Sequence, residues 1–251
     1  MKVFFVGAGP GDPELLTVKA KRLVENCKCC IYAGSLVSPG VISLIPQQAA
    51  KYDSAKLNLD EIIELITEAG DEGIDVVRLH TGDPSIYGAI GEQMVRLDKL
   101  GIEYEVVPGV SSFQAAAASI KTELTAPEIA QTIILTRTSG RTPLPDEQKL
   151  SELAGAKATL CIFLSVQRIG HVAETLMAHY GGECPIAVIY HASWPDEKIV
   201  RGTLATIEEE LKDSGITKTA MILVGQALGK PEAVSKLYDG KFTHEFREAS
   251  E

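Results

Sequence analysis

Residues 4–17, FFVGAGPGDPELLT, join an apolar strand to the start of a helix through a loop of glycines and prolines. Such a loop first suggests a phosphate site. A dinucleotide fingerprint that opens at Gly7 and Gly9 would need its third glycine at position 12, where Asp12 stands instead. A P-loop would end in Gly-Lys-Ser/Thr, but Lys19 already belongs to the following helix. Both phosphate sites are excluded, and a tight, proline-stiffened turn remains.

Outward from this stretch, strand-like and helical patterns alternate through the first half of the chain. The strand-like runs are KVFFV, CCIY, VVRLH and YEVV, and the helical patterns cover residues 14–26, 59–69, 89–100 and the run SSFQAAAASI. This alternation predicts a doubly wound α/β domain with a mostly parallel sheet. Ligands of such sheets bind outside the carboxyl ends of the strands, which directs attention to the loops GAGPGDP, HTGDPSIYG and VPGVSS.

The rhythm changes around KTELTAPEIA, and a second set of strands follows. These are QTIILT, ATLCIFL, PIAVIYH, KIVRGTL and TAMILVG. The connection WPDE is too short for a crossover helix, so its two flanking strands are expected to form an antiparallel hairpin. We therefore predict two α/β domains, residues 1–122 with a mostly parallel sheet and residues 123–240 with a mixed sheet, followed by a polar tail, residues 241–251.

Composition limits the classes of partner. The 251 residues are 45% hydrophobic and 23% charged, and they contain no apolar run of the roughly 20 residues that span a membrane. Because Lys and Arg number 24 against 34 Asp and Glu, the net charge of -10 argues against nucleic acid. We expect a cytoplasmic protein that uses neither membrane nor metal, with its five cysteines as buried, reduced thiols on strands.

Polar residues in the strand-end loops admit two interpretations each. Asp83 or Ser85 is either a helix cap or a ligand contact, and Ser111 and Ser112 taken alone are cap candidates. No nucleophile elbow or histidine ligand pair occurs in the chain. The loop LTRTSGRTPLP carries two arginines, which are either part of an exposed loop or, in so acidic a chain, a carboxylate site.

The motifs VGAGPGDPELLT, HTGDPSIYG, VPGVSS and IYHASWPDEKIVRGTL resemble, in this order, those of the tetrapyrrole methylases. Members of that family transfer methyl groups from S-adenosylmethionine to precursors of cobalamin and sirohaem. Further stretches, YAGSLV, YDSAKLNLDE, TRTSGRTPLP and ASWPDE, are similar to the subgroup that methylates precorrin-4 or cobalt-precorrin-4 at carbon 11. The resemblance implies a cofactor held between two α/β domains, a tetrapyrrole substrate, S-adenosylhomocysteine as product and a homodimer.

Carried over position by position, the resemblance also implies site residues. Cofactor contacts are expected at Pro10, Thr81, Gly82, Asp83, Ile86, Ser111, Ser112, Leu164, Ala192 and Ala220. Tetrapyrrole contacts are expected at Asp12, Ser35, Ser54, Arg137 and Arg141. Leu164 stands where relatives often have methionine, a change of similar volume.

One departure from the family bears on mechanism. Sirohaem-forming relatives carry a proposed catalytic aspartate at the position of Ala33, so that role does not transfer and no residue is assigned as general base. Methylation at carbon 11 needs no such base, because that carbon bears no hydrogen.

Several alternatives stay open from the sequence. They are a methyltransferase for a different ring carbon, a methylase of diphthamide synthesis, a nucleotide-dependent oxidoreductase and a non-catalytic binding module. The oxidoreductase is disfavoured by Asp12 and by the missing acidic residue after CCIYAGS.

Overall fold

The computed structural model describes residues 1–140, 142–229, 240–243 and 245–248. The chain divides into two compact units, one of Met1–Ala115 with His191–Glu197 and one of Ala116–Tyr190 with Lys198–Glu251. A short segment from late in the chain thus belongs to the first unit. The predicted boundary between residues 122 and 123 stays a prediction.

The first unit contains a five-stranded sheet in the order β3-β2-β4-β1-β5. Its strands are β1 (Lys2–Gly7), β2 (Cys29–Tyr32), β3 (Ala50–Asp53), β4 (Val76–His80) and β5 (Glu103–Val107). Every pairing is parallel, which confirms the parallel sheet expected from the alternating pattern. The chain winds from β1 outward to β3 and then returns to β4 and β5, so the connections that leave β1 and β4 run in opposite directions along the sheet. That reversal marks the usual ligand crevice of such sheets.

The helices of this unit are α1 (Val18–Glu25), α2 (Pro39–Ile42), α3 (Leu59–Asp71), α4 (Ile90–Leu100) and α5 (Ser112–Ser119). α5 continues past Ala115 into the second unit. Buried apolar side chains cover both faces of the sheet, with Val6, Val77 and Leu79 in one core cluster and Val3, Phe5 and Val76 in another.

The second unit contains a mixed five-stranded sheet in the order β6-β7-β10-β8-β9. Its strands are β6 (Ile133–Arg137), β7 (Thr159–Phe163), β8 (Pro185–Tyr190), β9 (Lys198–Thr203) and β10 (Ala220–Val224), and its further helices are α6 (Leu150–Ala154), α7 (Ile169–Tyr180) and α8 (Ile207–Lys212). β6 and β7 are parallel, whereas the other pairings are antiparallel. Both the mixed sheet and the β8–β9 hairpin are confirmed.

Two local expectations need correction. The helix expected over residues 14–26 begins at Val18, because Thr17 Oγ1 accepts a hydrogen bond from Ala20 N at 3.2 Å and Pro13–Leu15 forms a separate 3-10 turn. The strand β3 was missed altogether. Its residues AKYD lack an apolar run, as an edge strand with one neighbour and no buried residue allows.

All five cysteines are buried, as expected. Three lie on strands, but Cys27 and Cys184 lie just before β2 and β8. Burial raises the pKa of Cys161 to about 12, so this thiol stays protonated at neutral pH. No helix among the described residues is long and apolar enough to cross a membrane.

Candidate functional site

The three glycine-rich loops of the first unit meet at the carboxyl ends of β4, β1 and β5. Gly9 and Gly82 exchange two backbone hydrogen bonds, of 3.2 and 2.8 Å. Gly7, Gly82 and Gly109 form what we call the glycine junction, where a Cβ on Gly109 would lie 2.2 Å from Gly82 O and 2.9 Å from Gly7 Cα. Gly7 and Gly109 leave no room for a side chain, so the backbones of the three loops approach closely at this point.

Asp83 ties two of these loops together. Its Oδ1 accepts from Ser85 N at 2.8 Å and from Ser85 Oγ, and its Oδ2 accepts from Gly109 N at 2.9 Å. Burial raises the pKa of Asp83, but the hydrogen bonds from Ser85 and Gly109 outweigh burial and hold the pKa below its ordinary value. Capping of α4 by Asp83 or Ser85 is therefore wrong, since the N-cap of α4 is Ala89 and no side chain caps it.

The end of the β4 loop next to α4 is supported by a buried arginine. Arg78 Nε donates to Gln93 Oε1 at 3.2 Å, and Gln93 Nε2 donates to the carbonyl of Ala89 at 3.1 Å. Ala89 and Tyr87 both have left-handed backbone conformations, with φ of 50° and 56°. Burial lowers the pKa of Arg78 to about 10, yet this group remains a cation at neutral pH. Arg78 and Gln93 thus support a strained loop end.

His80 ends β4 directly before Thr81. Burial and the nearby charge of Arg78 lower the pKa of His80 to about 3, so the ring is neutral at physiological pH. Its Nε2 has no hydrogen-bond partner within the described part of the chain.

The loop after β5 leads into α5, and Ser111 directly precedes that helix. Ser111 N donates to Gln114 Oε1 at 2.9 Å, while Ser111 O accepts from Gln114 N at 3.1 Å. Ser111 therefore occupies the N-cap position, and Ser112 is the first helical residue. Thr81 and Ile86 are half-buried in the β4 loop.

The loop after β1 is held by a segment from much later in the chain. We call this segment, His191–Glu197, the clasp. Trp194 Nε1 donates to Pro10 O at 2.7 Å, and Asp12 N donates to Ser193 Oγ at 3.1 Å. Ala192, an expected cofactor residue, is buried within the clasp. Asp12 itself caps the 3-10 turn Pro13–Leu15 by accepting from Glu14 N at 2.9 Å.

In the second unit, Leu164 follows β7 with 76% of its surface exposed and a left-handed φ of 54°. The neighbouring Ser165 is buried, where its Oγ accepts from Thr138 N at 2.8 Å and donates to Phe163 O at 2.7 Å. An exposed leucine in a strained conformation, held by a buried polar pair, is typical of a ligand contact. Ala220 begins β10, the strand that pairs with β7.

The expected tetrapyrrole residues that the structure describes make hydrogen bonds within their own units. Arg137 donates to the carbonyls of Thr142 at 3.0 Å and Pro143 at 3.3 Å, so it holds its own loop. Ser54 Oγ donates to Tyr32 O at 3.0 Å between the ends of β2 and β3. Arg141 and the side chain of Ser35 lie outside the described residues.

The profile of the Tetrapyrrole (Corrin/Porphyrin) Methylases matches residues 2–208 of this chain, a span that includes the glycine junction, the clasp and the strands β1 to β9. The chain belongs to the tetrapyrrole methylases. The expectation from the sequence motifs is confirmed.

This methylase has close relatives of nearly equal length. The cobalt-precorrin-4 C(11)-methyltransferase of Methanocaldococcus jannaschii is 54% identical to it over 99% of this chain and 96% of the relative. The precorrin-4 C(11)-methyltransferase of Pseudomonas aeruginosa is 48% identical over 98% and 99% of the two chains.

Two solved structures share the fold of this methylase. A cobalt precorrin-4 methyltransferase, described as a cobalamin biosynthetic enzyme, aligns with a TM-score of 0.88 and 45% identity over 90% of this chain and 95% of that chain. A uroporphyrin-III C-methyl transferase from Thermus thermophilus, solved with S-adenosylhomocysteine, aligns with a TM-score of 0.76 and 30% identity over 91% and 99%.

Sequence reasoning missed three residues that shape the loops of this methylase: Arg78, Ser193 and Trp194. Arg78 left one usable signal, a lone cation inside the apolar strand VVRLH. Ser193 and Trp194 lie in the motif ASWPDE, but the motif does not indicate their partners, which stand 181 and 184 residues away in the sequence.

Proposed function

We propose that this chain is an S-adenosylmethionine-dependent C-methyltransferase that methylates precorrin-4 or cobalt-precorrin-4 at ring carbon 11 in cobalamin biosynthesis. The product is then precorrin-5 or cobalt-precorrin-5, with S-adenosylhomocysteine. The observation that carries the proposal is the likeness, over almost the whole chain, to two relatives named for this one reaction.

The chemistry of the loops fits this cofactor. Residues 8–12, 81–89 and 108–111 include the carboxylates of Asp12 and Asp83 but no lysine or arginine. S-adenosylmethionine carries an ammonium and a sulfonium and no phosphate, so acidic loops suit it where they would repel a dinucleotide. A carboxylate offers about four lone-pair sites, so Asp83 can accept from a ligand in addition to its three internal donors.

We assign cofactor contacts in the first unit to Pro10, Thr81, Gly82, Asp83, Ile86, Ser111, Ser112 and Ala192, and in the second unit to Leu164 and Ala220. Support comes from their strand-end positions and from the exposed, left-handed Leu164. When bound, the cofactor supplies an electrophilic methyl group. The residues of the chain act by orientation: they hold the loops in one conformation and shield the reacting atoms from water.

For the tetrapyrrole, which bears many carboxylates, we assign contacts to Asp12, Ser35, Ser54, Arg137 and Arg141. Changing Arg137 and Arg141 together to alanine is expected to weaken tetrapyrrole binding and leave cofactor binding intact. The hydrogen bonds of Arg137 to its own loop give it a second task, that of shaping the subsite.

The proposal is tested by titration and by assay. Calorimetry should detect binding of S-adenosylhomocysteine and none of NAD. With S-adenosylmethionine, the purified enzyme should add one methyl group to precorrin-4, to cobalt-precorrin-4 or to both, and none to uroporphyrinogen III. Methylation of uroporphyrinogen III alone would show instead a methyltransferase for a different ring carbon.

We also propose that the enzyme is a cytoplasmic homodimer. Ile133 and Leu135 on β6, an edge strand, are 37% and 36% exposed and point to the same side, which gives a second copy an apolar strip to cover. Light scattering should then give twice the mass of one chain, and Leu135→Lys should reduce it to one.

A further inference from the structure

The clasp lies directly against Gly11 in the β1 loop. A Cβ on Gly11 would lie 2.0 Å from Cδ1 and 2.2 Å from Nε1 of Trp194, so the indole is in direct contact with this backbone. Ser38 Oγ also donates to Gly11 O. The turn between Pro10 and Asp12 is therefore held by side chains from two other parts of the sequence.

The indole is itself held in place by the clasp. The ring of His191 stacks on Trp194 with a centroid distance of 4.3 Å and an interplanar angle of 26°. His191 Nδ1 contacts the carboxylate of Asp196 at 2.9 Å, and Ser193 N donates to Glu197 Oε2 at 2.8 Å. His191 and Ser193 both have left-handed backbones, with φ of 48° and 71°.

Strained backbone at two positions persists only where surrounding contacts enforce it. In the clasp these contacts aim a single indole N–H at the Pro10 carbonyl. A tryptophan that served packing alone would not need its N–H to donate a hydrogen bond to this turn.

We propose that Trp194 is a positioning residue of the methyl transfer: through Pro10 O and Gly11 it fixes the turn that presents Pro10 to the cofactor and Asp12 to the tetrapyrrole. This inference rests on the proposed function. It assigns to the β8–β9 connection the task of setting the geometry of a loop in the first unit.

The decisive comparison is between Trp194→Phe and Tyr180→Phe. Trp194→Phe keeps an aromatic ring but removes the donor to Pro10 O. Tyr180→Phe removes a donor of similar geometry, Tyr180 Oη to Ala158 O at 2.8 Å, from the second unit. Both variants should lower the melting temperature to a similar, small extent. Only Trp194→Phe should raise the dissociation constant of S-adenosylhomocysteine and lower kcat/KM, each about tenfold.

The outcomes separate the inference from the proposed function. If wild type neither binds S-adenosylhomocysteine nor transfers a methyl group, the proposed function is wrong. If wild type does both and Trp194→Phe matches Tyr180→Phe in affinity and kcat/KM, the function stands and the positioning role is overturned.

Two further measurements test the inference even if a single variant fails to fold. Trp194 is the single tryptophan of the chain, so the intrinsic fluorescence of wild type should change with S-adenosylhomocysteine and saturate at the dissociation constant from calorimetry. Unchanged emission on calorimetrically proven binding contradicts the inference. In a double-mutant cycle, Gly11→Ala should impair affinity strongly in wild type but little in Trp194→Ala, and additive effects would also contradict it.

Discussion

The loops after β1 and β4 meet at the glycine junction but are held in place by different contacts. The β4 loop is held by Asp83, whose partners Ser85 and Gly109 stand 2 and 26 residues away. The β1 loop is held by the clasp, whose hydrogen bonds to Pro10 and Asp12 span 184 and 181 residues.

The difference teaches where a binding loop obtains its rigidity. In the β4 loop the carboxylate of Asp83 organises the backbone, because it accepts from Ser85 and Gly109. In the β1 loop the carboxylate of Asp12 caps only the 3-10 turn that follows, so the backbone at Pro10 and Asp12 takes its support from the clasp. Variants at the junction, at Asp83 and at the clasp test this contrast.

The largest effect is expected from Gly109→Ala, which disrupts both loops at once. The new Cβ would lie 2.2 Å from Gly82 O, so the backbones must separate. We expect the free energy of unfolding to fall by at least about 3 kcal/mol. Chemical denaturation measures it. Gly91→Ala is the matched control: it has no neighbour within 4 Å in α4 and should gain about 0.5–1 kcal/mol. Equal effects at both positions would contradict the close approach.

The next effect is expected from Asp83→Asn, which breaks the locally held loop. An amide must turn its NH2 toward Gly109 N or Ser85 N, so unfolding free energy should fall by about 1–2 kcal/mol in the free protein. The removed charge should also weaken S-adenosylhomocysteine binding about ten- to a hundredfold. Melting curves and calorimetry separate the two losses, with exposed Asp71→Asn as control. An unchanged affinity would return Asp83 to a purely structural role.

A smaller effect is expected from Ser193→Ala, which weakens only the contact between the clasp and the β1 loop. The variant removes the acceptor of Asp12 N and should lower unfolding free energy by about 0.5–1.5 kcal/mol. Hydrogen exchange at the Asp12 amide should quicken, while exchange at the Gly109 amide should not. Faster exchange at both amides would mean that the two loops are not held separately.

The smallest effect concerns pH. The folded-state pKa of Asp83 lies below its ordinary value of 3.8. The hydrogen-bonded carboxylate therefore stabilises the fold fully above pH 3.8. This contribution is lost as the pH falls from 3.8 through the folded-state pKa. The difference in unfolding free energy between wild type and Asp83→Asn should therefore be full at about pH 6 and smaller at about pH 3. A difference that grows on acidification would have the wrong sign.

Prediction from the sequence succeeded where local pattern decides structure. Strands such as CCIY and VVRLH match β2 and β4 residue for residue, because a buried parallel strand is mostly apolar along its length. It failed at β3, whose polar residues pair only at an edge, and at the capping role of Asp83, whose carboxylate turns to Gly109 instead.

The sequence by itself determined the parallel and mixed sheets, the family and the positions of the loops, since hydrophobic period, turn residues and motif spacing are all properties of short stretches of chain. Only the tertiary structure decided how the loops are held: the glycine junction, the support of Ala89 by Arg78 through Gln93, and the clasp on Pro10. These contacts join residues far apart along the chain, and no local pattern specifies which distant side chain a folded backbone will bring within hydrogen-bond distance.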